Sequence, residues 1–448
     1  MAFFSATGFR SDREYTLYNK IAARLLPFLL LLYIVSFLDR INISFARLSM
    51  ATDAGIGDVA YGLGAGIFFI AYCLFEIPSN LILRRVGARF WIARIMFIWG
   101  LVSAAMVWVH SPLTFYVTRF ILGIAEAGFY PGVVFYLNYW FPRRLRGQAT
   151  ALFVIGIPLA GAVGAPLCGW IMVHMSEVAG LHSWQWLFLL TGLPATLLGV
   201  ITYFYLDDSP DKARWLTADD KALMAADRQA EMREHPEVAH SHSTRAAFAS
   251  GTLWLLAFVT FSIVDALYAL SFWLPQIVNS LGVSNAFDNG LIVAIPSVLA
   301  AVCTICVARH SDRSGERRWH LTGAIIAAGV GLCAATFFSH SAWISMASLS
   351  LAMMGILTSF TIVSSLPGLL LSGAAAAAGI ALITTIGNLG GYVGPFLLGW
   401  IKQSTGHLEY ALVLCGMLLF AGALITLWLP ELRREREAPN VVPGDVVA

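Results

Sequence analysis

The run Gly161-Ala162-Val163-Gly164-Ala165-Pro166-Leu167-Cys168-Gly169-Trp170-Ile171 is answered 230 positions later by Gly391-Tyr392-Val393-Gly394-Pro395-Phe396-Leu397-Leu398-Gly399-Trp400-Ile401. A second match, Arg84-Arg85-Val86-Gly87 against Asp312-Arg313-Ser314-Gly315, falls at an offset of 228. Two unrelated matches at nearly one offset point to a duplicated unit. Glycine-rich faces also recur in membrane helices simply to allow close packing. The shared Trp-Ile ending favours duplication.

The surrounding composition says what is duplicated. Of 448 residues, 58% are hydrophobic and only 12% charged, and the mean hydropathy is +0.74. A soluble domain carries about 25% charged residues. Half that fraction leaves too little polar surface for water, so lipid must solvate most of the chain. Runs of the roughly 20 apolar residues needed to span a bilayer fall at 23–45, 60–82, 90–109, 113–139, 148–173, 185–206, 252–279, 288–308, 320–338, 342–366, 375–402 and 408–430. The offset sets spans 1–6 opposite spans 7–12. The expected fold is an all-α membrane protein, twelve transmembrane helices in two six-helix halves, residues 1–206 and 251–432. A polar linker, 207–250, joins them and is expected to be helical near its start. A tail, 433–448, follows. Two helical halves with solute between them is the architecture of an alternating-access carrier.

Loop charges orient the chain. Arg10, Arg13, Lys20 and Arg24, then Arg84, Arg85 and Arg89, then Arg143, Arg144 and Arg146 lie at one set of span ends, with the linker, Arg309, Arg313, Arg317, Arg318 and Arg433, Arg434 and Arg436. The opposite loops hold little beyond Arg47 and Lys402. Both termini are therefore expected in the cytoplasm, as an even number of spans requires.

Other classes are excluded by what is missing. No basic stripe suits nucleic acid. There is no HExxH, GxSxG or phosphate loop for an enzyme. The six cysteines all lie within apolar runs, and Cys303-x-x-Cys306 has no second ligand pair, so neither a disulfide framework nor a metal is expected. His235, His240 and His242 read as solvated linker histidines.

Charge inside the spans is the functional signal, because each ionised group at mid-bilayer costs about 2.5–3.5 kcal/mol. Span 1 contains Asp39 and Arg40, span 4 Arg119 and Glu126, and span 7 Asp265. At about 1.5 Å rise per residue, Asp39, Arg40 and Arg119 fall at one height, with Glu126 about 10 Å nearer the cytoplasm. The expectation is that Arg40 and Arg119 grip a carboxylate, that Asp39 neutralises them when the site is empty, and that Glu126, away from the arginines, takes the proton. Asp265, with Tyr268 one turn on, is expected to face the same cavity as a further proton group.

The segments carrying these charges resemble a known family. They are Phe37-Leu38-Asp39-Arg40-Ile41-Asn42-Ile43-Ser44-Phe45-Ala46, Arg119-Phe120-Ile121-Leu122-Gly123-Ile124-Ala125-Glu126-Ala127-Gly128-Phe129-Tyr130-Pro131, Phe272-Trp273-Leu274-Pro275, and span 11 from Ala378-Gly379 to Gly387-Asn388-Leu389-Gly390-Gly391. Together they resemble the anion:cation symporter family of the major facilitator superfamily, in its bacterial branch of tartrate, phthalate, hydroxyphenylacetate and sugar-acid carriers. The resemblance implies proton-coupled uptake of a small organic anion across the bacterial inner membrane, by a monomer needing no cofactor. An exchanger or uniporter of the same fold is the alternative. It marks Asp39 and Glu126 as proton-linked, and Arg40, Arg119, Tyr72 and Asn388 as cavity groups. Tyr268 and Ser365 join them as substrate-facing candidates.

The loop motifs depart from the pattern in part. After spans 2 and 8 the resemblance implies cytoplasmic latches, here Arg85 and Gly87, and Asp312, Arg313 and Gly315. Asn80 replaces the first glycine and Arg84 the usual acid, so the first latch is expected to be weaker or differently built. In span 10, Ser364 and Ser365 precede Leu366-Pro367 where an aromatic residue is common, which widens or polarises the expected cavity.

Overall fold

The structure is a computed structural model that describes residues 3, 4, 9, 11–234, 250–338, 340–366 and 373–429, without the side chains of Met232, Glu234, Asp312 and 373–378. His235, His240 and His242, Pro367, and the tail from residue 430 lie outside the described residues.

Twelve of its helices are long and apolar enough to cross a membrane: Asp12–Asp53, Asp58–Val86, Ala88–Trp108, Pro112–Trp140, Arg143–His174, Ser183–Tyr205, Gly251–Ser280, Ala286–Ser311, Arg318–Phe337, Ala342–Ser365, Gly379–Thr405 and Glu409–Trp428. They are spans 1 to 12. Each expected run falls on one of them. Span 1 starts earlier than hydropathy suggests because a polar cap opens it: the Ser11 side chain accepts from the Glu14 amide, and Asp12 and Glu14 sit in the first turn.

Two spans are broken. Span 4 opens on a capping box between Ser111 and Thr114, with Pro112 in the first turn, and its first piece stops at Glu126. Gly128 then adopts φ +88°, the left-handed region that glycine tolerates best, and the second piece runs Phe129–Trp140. Span 5 pauses at Ile155 between Arg143–Val154 and Gly156–His174. Pro158 lies one turn on and has no amide to offer the preceding turn.

The repeat glycines lie on the seam between the halves. Span 5 packs on span 8, and span 11 packs on span 2. A Cβ on Gly169 would stand 2.2 Å from the Ala286 carbonyl oxygen, and one on Gly399 would stand 2.4 Å from that of Asp58. Asp58 and Ala286 are themselves 228 positions apart. Gly161 faces Ser297 and Gly391 faces Phe69, again a pair 228 apart. Duplication and close packing, posed as rival readings of the motif, are both realised. These contacts close the face remote from the linker.

The linker contributes the helix Ala218–Glu234. Its side chains dock on the first half: Asp227 accepts from the Tyr18 hydroxyl at 2.9 Å, Asp220 pairs with Lys20 at 3.0 Å, Glu231 pairs with Arg146 at 3.1 Å, and Arg228 donates to the Tyr139 carbonyl at 2.8 Å. Partial burial pushes the Asp220 carboxyl up. The hydrogen bonds from Lys20 and Thr217 outweigh that and hold it below the usual aspartate range.

Candidate functional site

Asp39 and Arg40 are neighbours on one helix, so their side chains leave it about 100° apart. Asp39 turns into the first half. Its carboxylate accepts from Trp99 Nε1 at 2.7 Å, from the Ser103 hydroxyl, and from Asn42 Nδ2 at 3.1 Å. Asn42 in turn donates to Thr191 at 2.9 Å. Arg40 turns to the seam. Its Nε and Nη2 meet Glu126 Oε1 at 2.7 and 2.5 Å, and its Nη1 donates to the Tyr268 hydroxyl at 2.8 Å. Ser36 also donates to that Glu126 oxygen, at 2.9 Å. The guanidinium lies over the rings of Phe68 and Tyr72, at 5.5 and 5.3 Å.

This corrects the expected division of labour. Glu126, not Asp39, pairs with Arg40, while the charge of Asp39 acts on Arg119. The depth count used Cα positions, but helical side chains lean toward their own N-terminus. Spans 1 and 4 run antiparallel, so Arg40 and Glu126 lean toward one another and close the gap.

Arg119 is fully buried. Its Nε donates to the Gly64 carbonyl at 3.4 Å, and the guanidinium lies 4.9 Å from the centre of the Phe68 ring. Among the described residues neither Nη has a hydrogen-bond partner. Buried donors are normally satisfied, and two without a partner on a cation are free to meet an acceptor. Phe68 lies against both guanidinium groups and sets them beside each other.

The remaining candidates divide. Tyr72 and Tyr268 join the Arg40 cluster. Asp265 is fully buried but turns toward the Cys415 thiol of span 12 and meets no other donor among the described residues. Its backbone is pressed against Gly390 and Gly394 of span 11, and one carboxylate oxygen lies beside Gly394. Ser365 donates to the Ile362 carbonyl of its own helix at 2.8 Å, and Ser364 to Phe360 at 2.7 Å. Neither reaches the arginines. Asn388 donates to Glu76 Oε2 at 3.3 Å. Glu76, only 7% exposed in span 2, is the residue the sequence reading passed over. Its signal was the one that marked Asp39, a carboxylate inside an apolar run. Trp99, Ser103 and Thr191 gave no such signal.

Of the loop residues, Arg85 and Arg313 are exposed, Gly87 has φ +94° and Gly315 φ +64°. The Asp312 side chain is outside the description. The turn after span 2 does have an acid, from elsewhere in the chain: Asp208, after span 6, accepts from the Arg89 amide at 3.1 Å and lies against Gly87. On the opposite face the two isolated loop cations converge. Asp58 pairs with Arg47 of its own half and with Lys402 of the other at 3.4 Å. The Val59 amide donates to Gln403 at 3.1 Å, and the Tyr61 hydroxyl to the Phe272 carbonyl at 2.8 Å.

Two six-helix halves, tied on one face and meeting at a buried arginine, define a membrane transporter rather than an enzyme. The chain belongs to the Major Facilitator Superfamily, whose family model matches residues 29–395 and 290–446. It is 46% identical over 419 residues to an Agrobacterium vitis protein provisionally named as a tartrate transporter, covering 94% of this chain and 96% of that one. It is 44% identical over 428 residues to a Pseudomonas putida protein provisionally named as the metabolite transport protein NicT, covering 95% and 96%. Among solved structures, a bacterial homologue of the human lysosomal transporter Spinster, inward-facing and occupied, superposes with a TM-score of 0.72 at 16% identity, covering 93% of this chain and 98% of that one.

Proposed function

We propose that this protein carries a small carboxylate into a bacterial cell together with protons, by alternating exposure of the Arg40–Arg119 site on either face of the inner membrane, with both termini in the cytoplasm. The observation that carries the reading is the Arg40 junction: one guanidinium held by Glu126 of the first half and Tyr268 of the second. A carboxylate takes the two free Nη groups of Arg119, whose fork matches its geometry. A proton on Glu126 removes the charge that holds Arg40 and frees it for the same anion. Arg40 then stays bonded to Tyr268, and the loaded site draws the halves together. Each proton that crosses the field supplies about 2.3 kcal/mol per 100 mV. Asp39, whose hydrogen-bond donors among the described residues are all neutral, is a second proton group on this reading. Tartrate is the first cargo to test, given the Agrobacterium relative.

The test is tartrate uptake into proteoliposomes with an imposed inward proton gradient and no internal substrate. Wild type is expected to concentrate tartrate, and Glu126→Gln to equilibrate it only. If Glu126→Gln still concentrates tartrate, Glu126 is not the coupling acid. Uptake by wild type that requires internal tartrate and ignores the pH gradient makes the protein an exchanger.

A further inference from the structure

Span 2 carries an ordered column of side chains. Phe68, Tyr72 and Glu76 recur every four residues and share one helix face. Phe68 touches both guanidinium groups, Tyr72 lies beneath Arg40 alone, and Glu76 comes next, about 6 Å further toward the linker face. Glu76 thus stands between the Arg40 junction and that face. It is buried, and among the described residues it forms no ion pair. Its side-chain donor is Asn388, a neutral amide from the other half. The groups around it are Arg40 on span 1, Tyr130 on span 4, and Tyr72 and Cys73 on its own helix, all acting through space, with only Asn388 from span 11.

Glu126 is already paired with Arg40 through one of its carboxylate oxygens. Glu76 has no such pair to break. An anion that passes from Arg40 to the linker face along this side of span 2 goes by Glu76, where a charged carboxylate repels it and a neutral one does not. The Asn388 amide bonds a charged Glu76 more strongly than a neutral one, so the charge on Glu76 also sets how firmly spans 2 and 11 hold together on that side.

We propose that Glu76 is a proton-carrying carboxylate of the transport cycle, and that Asn388 is its positioning residue across the seam. One proton joins a Glu76 oxygen before the anion passes and leaves the same oxygen to water at the linker face afterwards. The inference rests on the proton-coupled reading above and adds a carrier to it.

Two measurements test it. In proteoliposomes, the opposing proton and tartrate gradients at which net flux vanishes give the proton-to-tartrate ratio. Glu76→Gln, which keeps the size and an acceptor for Asn388, is expected to lower that ratio by one. The same ratio in both proteins overturns the proposal while leaving coupling through Glu126 intact, and a wild type with no proton dependence removes both. Independently of any substrate, infrared difference spectra of the purified protein titrated between about pH 3 and 9, from below the ordinary carboxylate range to above that of histidine, are expected to show a protonated-carboxyl band that Glu76→Gln lacks. Identical spectra overturn the proposal. Asn388→Ala retains the carboxyl but loses its donor, and is expected to shift the midpoint of that band toward higher pH. An unmoved midpoint removes Asn388 from the role.

Discussion

Arg40 bonds to both halves at the centre of the molecule. Its three nitrogens are shared between the Glu126 carboxylate and a hydroxyl on the opposite half. Tyr268→Phe deletes the second contact and leaves the ring in place against Phe69, whose centre is 4.3 Å away. A hydrogen bond to a charged group is worth about 1.5–3 kcal/mol. Tyr268→Phe is therefore expected to lower the initial rate of proton-driven tartrate uptake about tenfold or more, measured on protein reconstituted at equal density. A rate within twofold of wild type would place the junction outside the transport cycle. Arg40 and Glu126 were both legible in the sequence as charges in lipid. Their pairing was not, because it depends on the antiparallel course of two helices 86 positions apart in the chain.

At the scale of the element, the break in span 4 matters most. Hydropathy reads residues 113–139 as one continuous run, yet the helix stops at Glu126, turns through Gly128 and restarts at Phe129. The restart suits Pro131, which has no amide to donate in a first turn. Glu126 consequently sits at the end of a helical piece beside the junction. Gly128→Ala forces a Cβ into the left-handed region, at about 1–2 kcal/mol, and brings that Cβ within 2.4 Å of the Ser79 oxygen. Ser79 already accepts from Trp91 Nε1 at 2.9 Å and has little freedom to move. The variant is expected to unfold a degree or two lower, at roughly 1 °C per kcal/mol for a chain of this length, in a thermal melt followed by tryptophan fluorescence. An unchanged melt would show that the turn relaxes without cost.

At the scale of the whole molecule, the duplicated glycines make one face of the seam tight enough to seal. Spans 5 and 11 each lay a glycine on a backbone carbonyl of the opposite half, at Gly169 and Gly399. Asp58, Lys402 and Arg47 add an ionic tie at the same end. Gly399→Val has no room beside the Asp58 carbonyl. Overpacking of this kind costs about 1–3 kcal/mol, which the protein avoids by leaving that face open. Tartrate uptake is expected to fall on the order of tenfold or more, while tartrate still raises the melting temperature of the purified variant. Loss of both uptake and that thermal shift would mean the variant is misfolded rather than held open.

The sequence by itself determined the membrane class, the twelve spans, the duplication and the set of groups that carry charge into lipid. Each of these follows from local chemistry: runs of apolar residues, matched motifs at one offset, and side chains whose burial is costly wherever they sit. The tertiary structure decided who meets whom. It gave Arg40 to Glu126 and Tyr268, Asp39 to Trp99 and Ser103, Asp265 to the interior of the second half, and Glu76 to Asn388. Partners at a seam are set by helix direction, by a 100° step between neighbours and by contacts hundreds of positions apart, which no local pattern in the chain encodes.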